Sequence, residues 1–167
     1  MKALISVAIA GLAASALAAC GDGDDGDDRE RAQSYALRVE RISDDAYEAA
    51  QNGLVTLNKL ADGSVAAPAA ITALDRSTKE VTADSERLAS LAPPEGARQT
   101  ADDLGFQLDS LAHSLGEASA TTSANSKGSG SLQDTGRTFA RVVLAYQSGS
   151  AALSRALRTL VVASAED

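Results

Sequence analysis

A chain of 167 residues with one cysteine and one histidine has few groups able to do chemistry. Cys20 is the sole thiol, which excludes an intramolecular disulfide and any multi-cysteine zinc site. His113 is the sole imidazole, so the chain offers neither a His-rich metal centre nor the Glu-x-x-His pairs of a di-iron bundle. The acidic doublets Asp44-Asp45 and Asp102-Asp103 place carboxylates side by side. Adjacent residues on a helix point in different directions, so these read as solvated faces, not as an acid/base pair. Ser148-Gly149-Ser150 lacks the Gly-x-Ser-x-Gly elbow that exposes a nucleophile, and its small residues suit a close helix contact. No catalytic constellation is visible. The expectation is a non-enzymatic protein without a metal or a diffusible cofactor.

The setting of Cys20 is more informative. Met1-Lys2 is a short basic start, Ala3 to Leu17 runs without a charge, and Leu17-Ala18-Ala19-Cys20 follows. These are the parts of a secretory signal. Leu17-Ala18-Ala19-Cys20 resembles the lipobox of bacterial lipoproteins, a likeness confined to residues 1–20. It implies a signal peptide over 1–19 with cleavage before Cys20. It also implies a diacylglycerol joined to the Cys20 sulfur and acylation of the new amino end, palmitate being a typical chain. A thiol forms the thioether, and small residues before it let an extended backbone enter an intramembrane protease. Two or three acyl chains anchor stably at ~0.8 kcal/mol per buried CH₂. The implied place is the extracytoplasmic face of a cell membrane. The alternatives are a retained transmembrane helix, at the ~17-residue lower limit of a span, and a plain secretory signal.

After Cys20 comes GDGDDGDD, residues 21–28, whose five Asp supply much of the net charge of −8. Like charges repel and bury nothing, so residues 20–28 are expected to form a lipidated, disordered tether. An EF-hand reading fails. Counted from Asp22, position 6 is Asp27 where Gly is needed and position 12 is Gln33 where Glu is needed. A pI near 4.6 and 3% aromatic residues exclude the basic, stacking surface of a nucleic-acid binder.

Residues 29–167 carry four helical patterns. Tyr35, Val39, Ile42, Ala46, Ala49, Gly53, Leu57 and Leu60 recur at spacings of three and four and predict a helix over 29–61. Asp62-Gly63 ends it. Ile71, Leu74, Thr78, Val81, Ser85, Leu88 and Ala92 predict a second over 66–92, stopped by Pro93-Pro94. Ala97, Ala101, Leu104, Leu108, Leu111, Leu115 and Ala118 predict a third over 95–121, fading into a polar Gly/Ser loop at 121–131. Leu132, Phe139, Val142, Tyr146, Leu153, Leu157 and Leu160 predict a fourth over 132–165. With short links between them, an all-α, antiparallel up-down-up-down four-helix bundle is expected. An acidic third helix beside an Arg-rich fourth is expected to help the pairing, though exposed ion pairs contribute only ~0–1 kcal/mol each. Many stripe positions are Ala, Ser or Gly, which predicts close helices, a lean core and no large internal cavity.

On the third helix Phe106 and His113 stand seven residues apart, off the apolar stripe, with Ser110 between them. They are the candidate partner surface: an aromatic on an outward face is a contact, unless the 121–131 loop covers it. Asp109 is placed to pair with His113. Tyr47 and Leu54 on the first helix read as a widening of its core stripe. The Ala-rich layout resembles that of small α-helical lipoproteins of high-GC bacteria. The leading expectation is therefore a membrane-anchored module that contacts a protein or another envelope component. The alternative is a small-ligand or metal-binding sensor or carrier bundle, for which Thr78 and Ser85 are the polar positions on the second stripe.

Overall fold

The computed structural model describes residues 25–124 and 129–163. They form four helices: α1 (Asp25–Ala61), α2 (Ala67–Ala89), α3 (Arg98–Ala124) and α4 (Ser129–Ala163). Among the described residues there is no strand. The signal segment and Cys20 lie outside them, as do residues 21–24 of the acidic stretch.

Local chemistry accounts for the helix ends. The Ser64 N–H donates to Lys59 C=O at 2.8 Å and the Gly63 N–H to Leu60 C=O at 3.2 Å, the two bonds of a Schellman stop. The motif needs a left-handed residue, and Gly63 has φ of 77°. Pro68 sits in the first turn of α2, where a missing N–H is harmless. Helix α2 ends at Ala89 and α3 begins at Arg98, both tighter than the periodicity suggests. Pro93 and Pro94 disfavour helical angles in the residues before them, and a turn over 95–97 precedes α3.

Two other boundaries differ from expectation in the opposite direction. Asp25–Asp28, read from sequence as disordered tether, are the first residues of α1. The polar run expected to loop over 121–131 is shorter: α3 continues to Ala124 and α4 starts at Ser129. Thr122 is buried and its hydroxyl donates back to Ala118 C=O at 2.8 Å, so a polar residue is satisfied without leaving the helix.

Each helix packs on its sequence neighbours and α4 closes the ring against α1. Contacts run in opposite directions along each adjacent pair. Ser85 meets Asp109 and Ser119 meets Asp75 between α2 and α3. Tyr146 meets Ser43, and Phe139 meets Gly53, between α4 and α1. The molecule is thus an antiparallel four-helix bundle. Its core joins Ala46, Ala49 and Ala50 of α1 to Leu104, Leu108, Leu111 and Leu115 of α3 and to Phe139 and Tyr146 of α4. The expected α1 and α3 stripes are the buried faces, with Leu60 half-buried at the end of α1. On α4, Val143 is buried and Val142 half-buried beside it. Among the described residues no α3–α4 ion pair forms; these two helices join through their apolar stripes.

Gly53 marks a close approach in the apolar core. A Cβ there would lie 2.5 Å from Leu115 Cδ2 and 3.4 Å from the Phe139 ring, so α1 comes this near because the position carries no side chain. Gly105, in the middle of α3, is different: a Cβ added there would meet nothing within 4 Å. Gly53→Val should therefore destabilise the protein by about 1–3 kcal/mol through overpacking. Gly105→Ala should stabilise it by roughly 0.5–1 kcal/mol through reduced unfolded-state freedom. Urea midpoints for the two variants check both signs.

Candidate functional site

The buried line of α2 is Ala70, Leu74, Ser77, Val81, Asp84 and Leu88. It is turned slightly from the expected stripe, so that Thr78 and Ser85 sit on the shoulder and Ser77 and Asp84 go inward. Asp84 is 3% exposed. Its Oδ1 accepts from Arg87 Nη1 at 2.9 Å, one turn on, and the same guanidinium reaches Asp45 Oδ2 of α1 at 3.5 Å. Burial raises the Asp84 carboxyl above its ordinary value. Arg87 opposes that shift, and the Asp45 and Glu80 carboxylates reinforce it.

Deeper in the bundle, the Tyr146 hydroxyl of α4 donates to the Ser43 carbonyl of α1 at 2.9 Å. Burial drives this phenol well above its normal range. The Ser43 bond pulls it back, while Asp84 and Asp44 push it further up. The Ser43 Oγ beside this bond is buried without a hydrogen-bond partner, and so is Gln107 Oε1, whose amide lies against Gly149. Within the Ser148-Gly149-Ser150 patch, Gly149 is thus a close helix contact, while Ser148 is exposed.

Asp84 and Ser77 also line an open groove of about 680 Å³ between α1 and α2. Its walls carry Asp45, Glu48, Arg76, Lys79, Glu80 and Arg87, and alanines fill the spaces between them. Arg76 pairs with Glu80 at 2.8 Å, which leaves Glu48 and Lys79 without ion-pair partners among the described residues. The groove offers charge of both signs and two polar groups at its floor. It has no convergent nucleophile and base. Among the described residues, no group of three or more His, Cys, Asp or Glu is placed to hold a metal ion, and no helix is long and apolar enough to cross a membrane.

The residues singled out from sequence lie elsewhere. Phe106 is 73% exposed on the solvent face of α3. The Ser110 hydroxyl is tied to Phe106 C=O at 2.9 Å. His113 is exposed, but its partner is Glu117, with Nε2 to Oε1 at 3.4 Å. The expected pairing with Asp109 does not form, because Asp109 accepts instead from Ser85 of α2 at 2.5 Å. Asp44, Asp45, Asp102 and Asp103 are all exposed. Leu54 packs on the core, and Tyr47 beside it is 38% exposed.

Sequence reasoning missed Ser77 and Asp84 because it drew the stripe through their neighbours Thr78 and Ser85, one position on in each turn. The signal was present: Ser77 lies three and four residues from Leu74 and Val81, and Asp84 three and four from Val81 and Leu88, at helical spacing. No protein-family model matches this chain, and neither does any curated protein or solved structure.

Two outcomes follow for the polar layer. Tyr146→Phe removes a buried hydrogen bond and should cost about 1 kcal/mol, read from the urea midpoint. The Asp84 carboxyl is raised in the folded chain, so the folded state holds a proton that the unfolded chain has released. Stability should then rise as pH falls from neutral through the folded value towards the ordinary carboxylate range. Asp62, whose carboxylate is lowered first by the Ser64 hydroxyl and then by its N–H, acts oppositely and below that range. Denaturation at pH 7 and pH 5 should therefore show a gain on acidification that Asp84→Asn abolishes.

Proposed function

We propose that the chain is a lipid-anchored bundle on the outer side of a cell membrane, working by contact with another envelope component rather than by catalysis. The observation that carries this reading is Cys20, the sole thiol, placed directly after Leu17-Ala18-Ala19 at the end of an uncharged segment. A diacylglycerol thioether there converts a secreted chain into a surface-held one. The four-helix bundle supports the reading as a rigid body able to display its faces.

The contact face is the outer side of α3. Phe106, Ser110 and His113 lie on successive turns of one helical face, with Phe106 the most exposed large apolar residue among those described. A lone exposed aromatic ringed by small and polar residues has the make-up of an interface anchor.

Intact-mass measurement of the membrane fraction should find a chain starting at Cys20 and carrying diacylglycerol, and Cys20→Ala should leave the protein unprocessed. A bare thiol in a soluble fraction would end the anchor reading. A photo-crosslinker at Ser110 should give an adduct in cells that Phe106→Ala with His113→Ala removes. An adduct indifferent to both substitutions would discard this face.

A further inference from the structure

The α1/α2 groove is floored by two side chains, Ser77 and Asp84, that are almost wholly buried yet keep unused hydrogen-bonding capacity open to it. Ser77 is 3% exposed, lines the groove, and its hydroxyl makes no hydrogen bond among the described residues. Asp84 is 3% exposed and uses Oδ1 for Arg87, leaving Oδ2 without a partner among them. Neither oxygen is sealed off as the Ser43 hydroxyl is, so both open onto the groove and can be met there by water or by a ligand.

The groove is also electrically polarised along its length. The Arg87–Asp45 contact marks one end, where Asp45 and Asp84 share one guanidinium and the unpaired Glu48 also lines the groove. Two turns back along α2, near Ser77, Arg76 and Lys79 supply two cations against Glu80. The occupant that fits carries a positive group at one end and a negative group at the other. A diamine would place its second charge against Arg76 and Lys79, and a dicarboxylate would meet Asp84.

Length and shape narrow the choice. Ser77 and Asp84 are seven residues apart, which is roughly 10 Å along a helix. An extended peptide of about three residues has the same span. Ala49, Ala73 and Ala83 line the groove with small side chains that admit a peptide backbone. Asn52 on the α1 wall offers one amide donor group and one acceptor for main-chain groups.

We propose that this groove binds a short peptide of about three residues with free termini, its ammonium on Asp84 and its carboxylate toward Ser77 and Lys79. Arg87, which is largely exposed, shifts toward Asp45 as the ligand ammonium takes the free oxygen of Asp84. The site stands independently of the lipid anchor and of the α3 face.

Calorimetric titration of the full chain in detergent micelles with trialanine tests it. N-acetyl-trialanine amide is the control of equal shape without terminal charges. Free trialanine should bind saturably and the capped form should not. Asp84→Asn should weaken binding about tenfold or more, the scale of one lost hydrogen bond to a charge, and Ser77→Ala and Lys79→Ala severalfold each. Equal binding of the capped peptide would overturn the proposal. So would an unchanged affinity in Asp84→Asn, or the absence of saturable binding of trialanine to the wild-type chain. If Asp84→Asn loses its helical circular dichroism, Lys79→Ala decides, because its side chain is exposed and holds no packing role.

Discussion

The architecture depends on how closely α1 can approach the helices around it. The middle of its inner face is built from Ala46, Ala49, Ala50 and Gly53, between Tyr35, Val39 and Ile42 on one side and Leu57 on the other, and there the bulky groups come from α3 and α4, chiefly Leu115, Phe139 and Tyr146. Small against large is how two helix surfaces interlock at interior density. Alanine surrenders no side-chain entropy when buried, so a lean face of this kind is inexpensive to order. It also supplies little apolar area, so at this level of the bundle cohesion comes chiefly from the leucines of α3 and the two buried aromatics of α4.

Alanines say little about register, because one resembles the next; the gap at Gly53 that admits Leu115 is the exception among these small residues. The polar contacts add to it. Ser85 to Asp109, Ser119 to Asp75 and Tyr146 to Ser43 join residues 24, 44 and 103 positions apart in the chain. Each requires one register, because a shifted helix would part the donor from its acceptor, and for the buried Tyr146 hydroxyl no water would replace it. Polar groups at a helix seam specify alignment at some expense in stability. The two surface features of interest inherit that alignment. Asp45 and Arg87 meet because α1 and α2 are held in register, whereas the Phe106 face belongs to α3 alone.

Asp84 sits where these effects meet. It is buried on the inner line of α2, yet its cation Arg87 is 61% exposed, so the pair runs from the bundle interior to solvent. That geometry tempers the desolvation of the carboxylate without abolishing it, which is why its acidity is weakened despite a guanidinium at 2.9 Å. The same carboxylate faces the Tyr146 phenol on one side and the groove on the other, coupling core and surface electrostatically.

Much of this is legible in the order of residues. Spacings of three and four between apolar positions, Gly63, and the proline pair name four helices and their order, because those signals are local and short-range physics governs them. The buried faces of α1 and α3 follow from the same periodicity. The sequence likewise carries the resemblance at Cys20, which is a matter of covalent chemistry and needs no fold. Only the tertiary structure decided the rotation of α2 about its axis, and with it the inward placement of Ser77 and Asp84. A fraction of a turn costs little in apolar contact on a helix whose stripe is partly Ser, Thr and Ala, so neighbours, not periodicity, choose it. Pairings such as Asp109 with Ser85 in place of His113 were equally beyond local reading. A side chain on a helix flank answers to whichever partner the adjacent helix presents, and that is a property of packing in three dimensions.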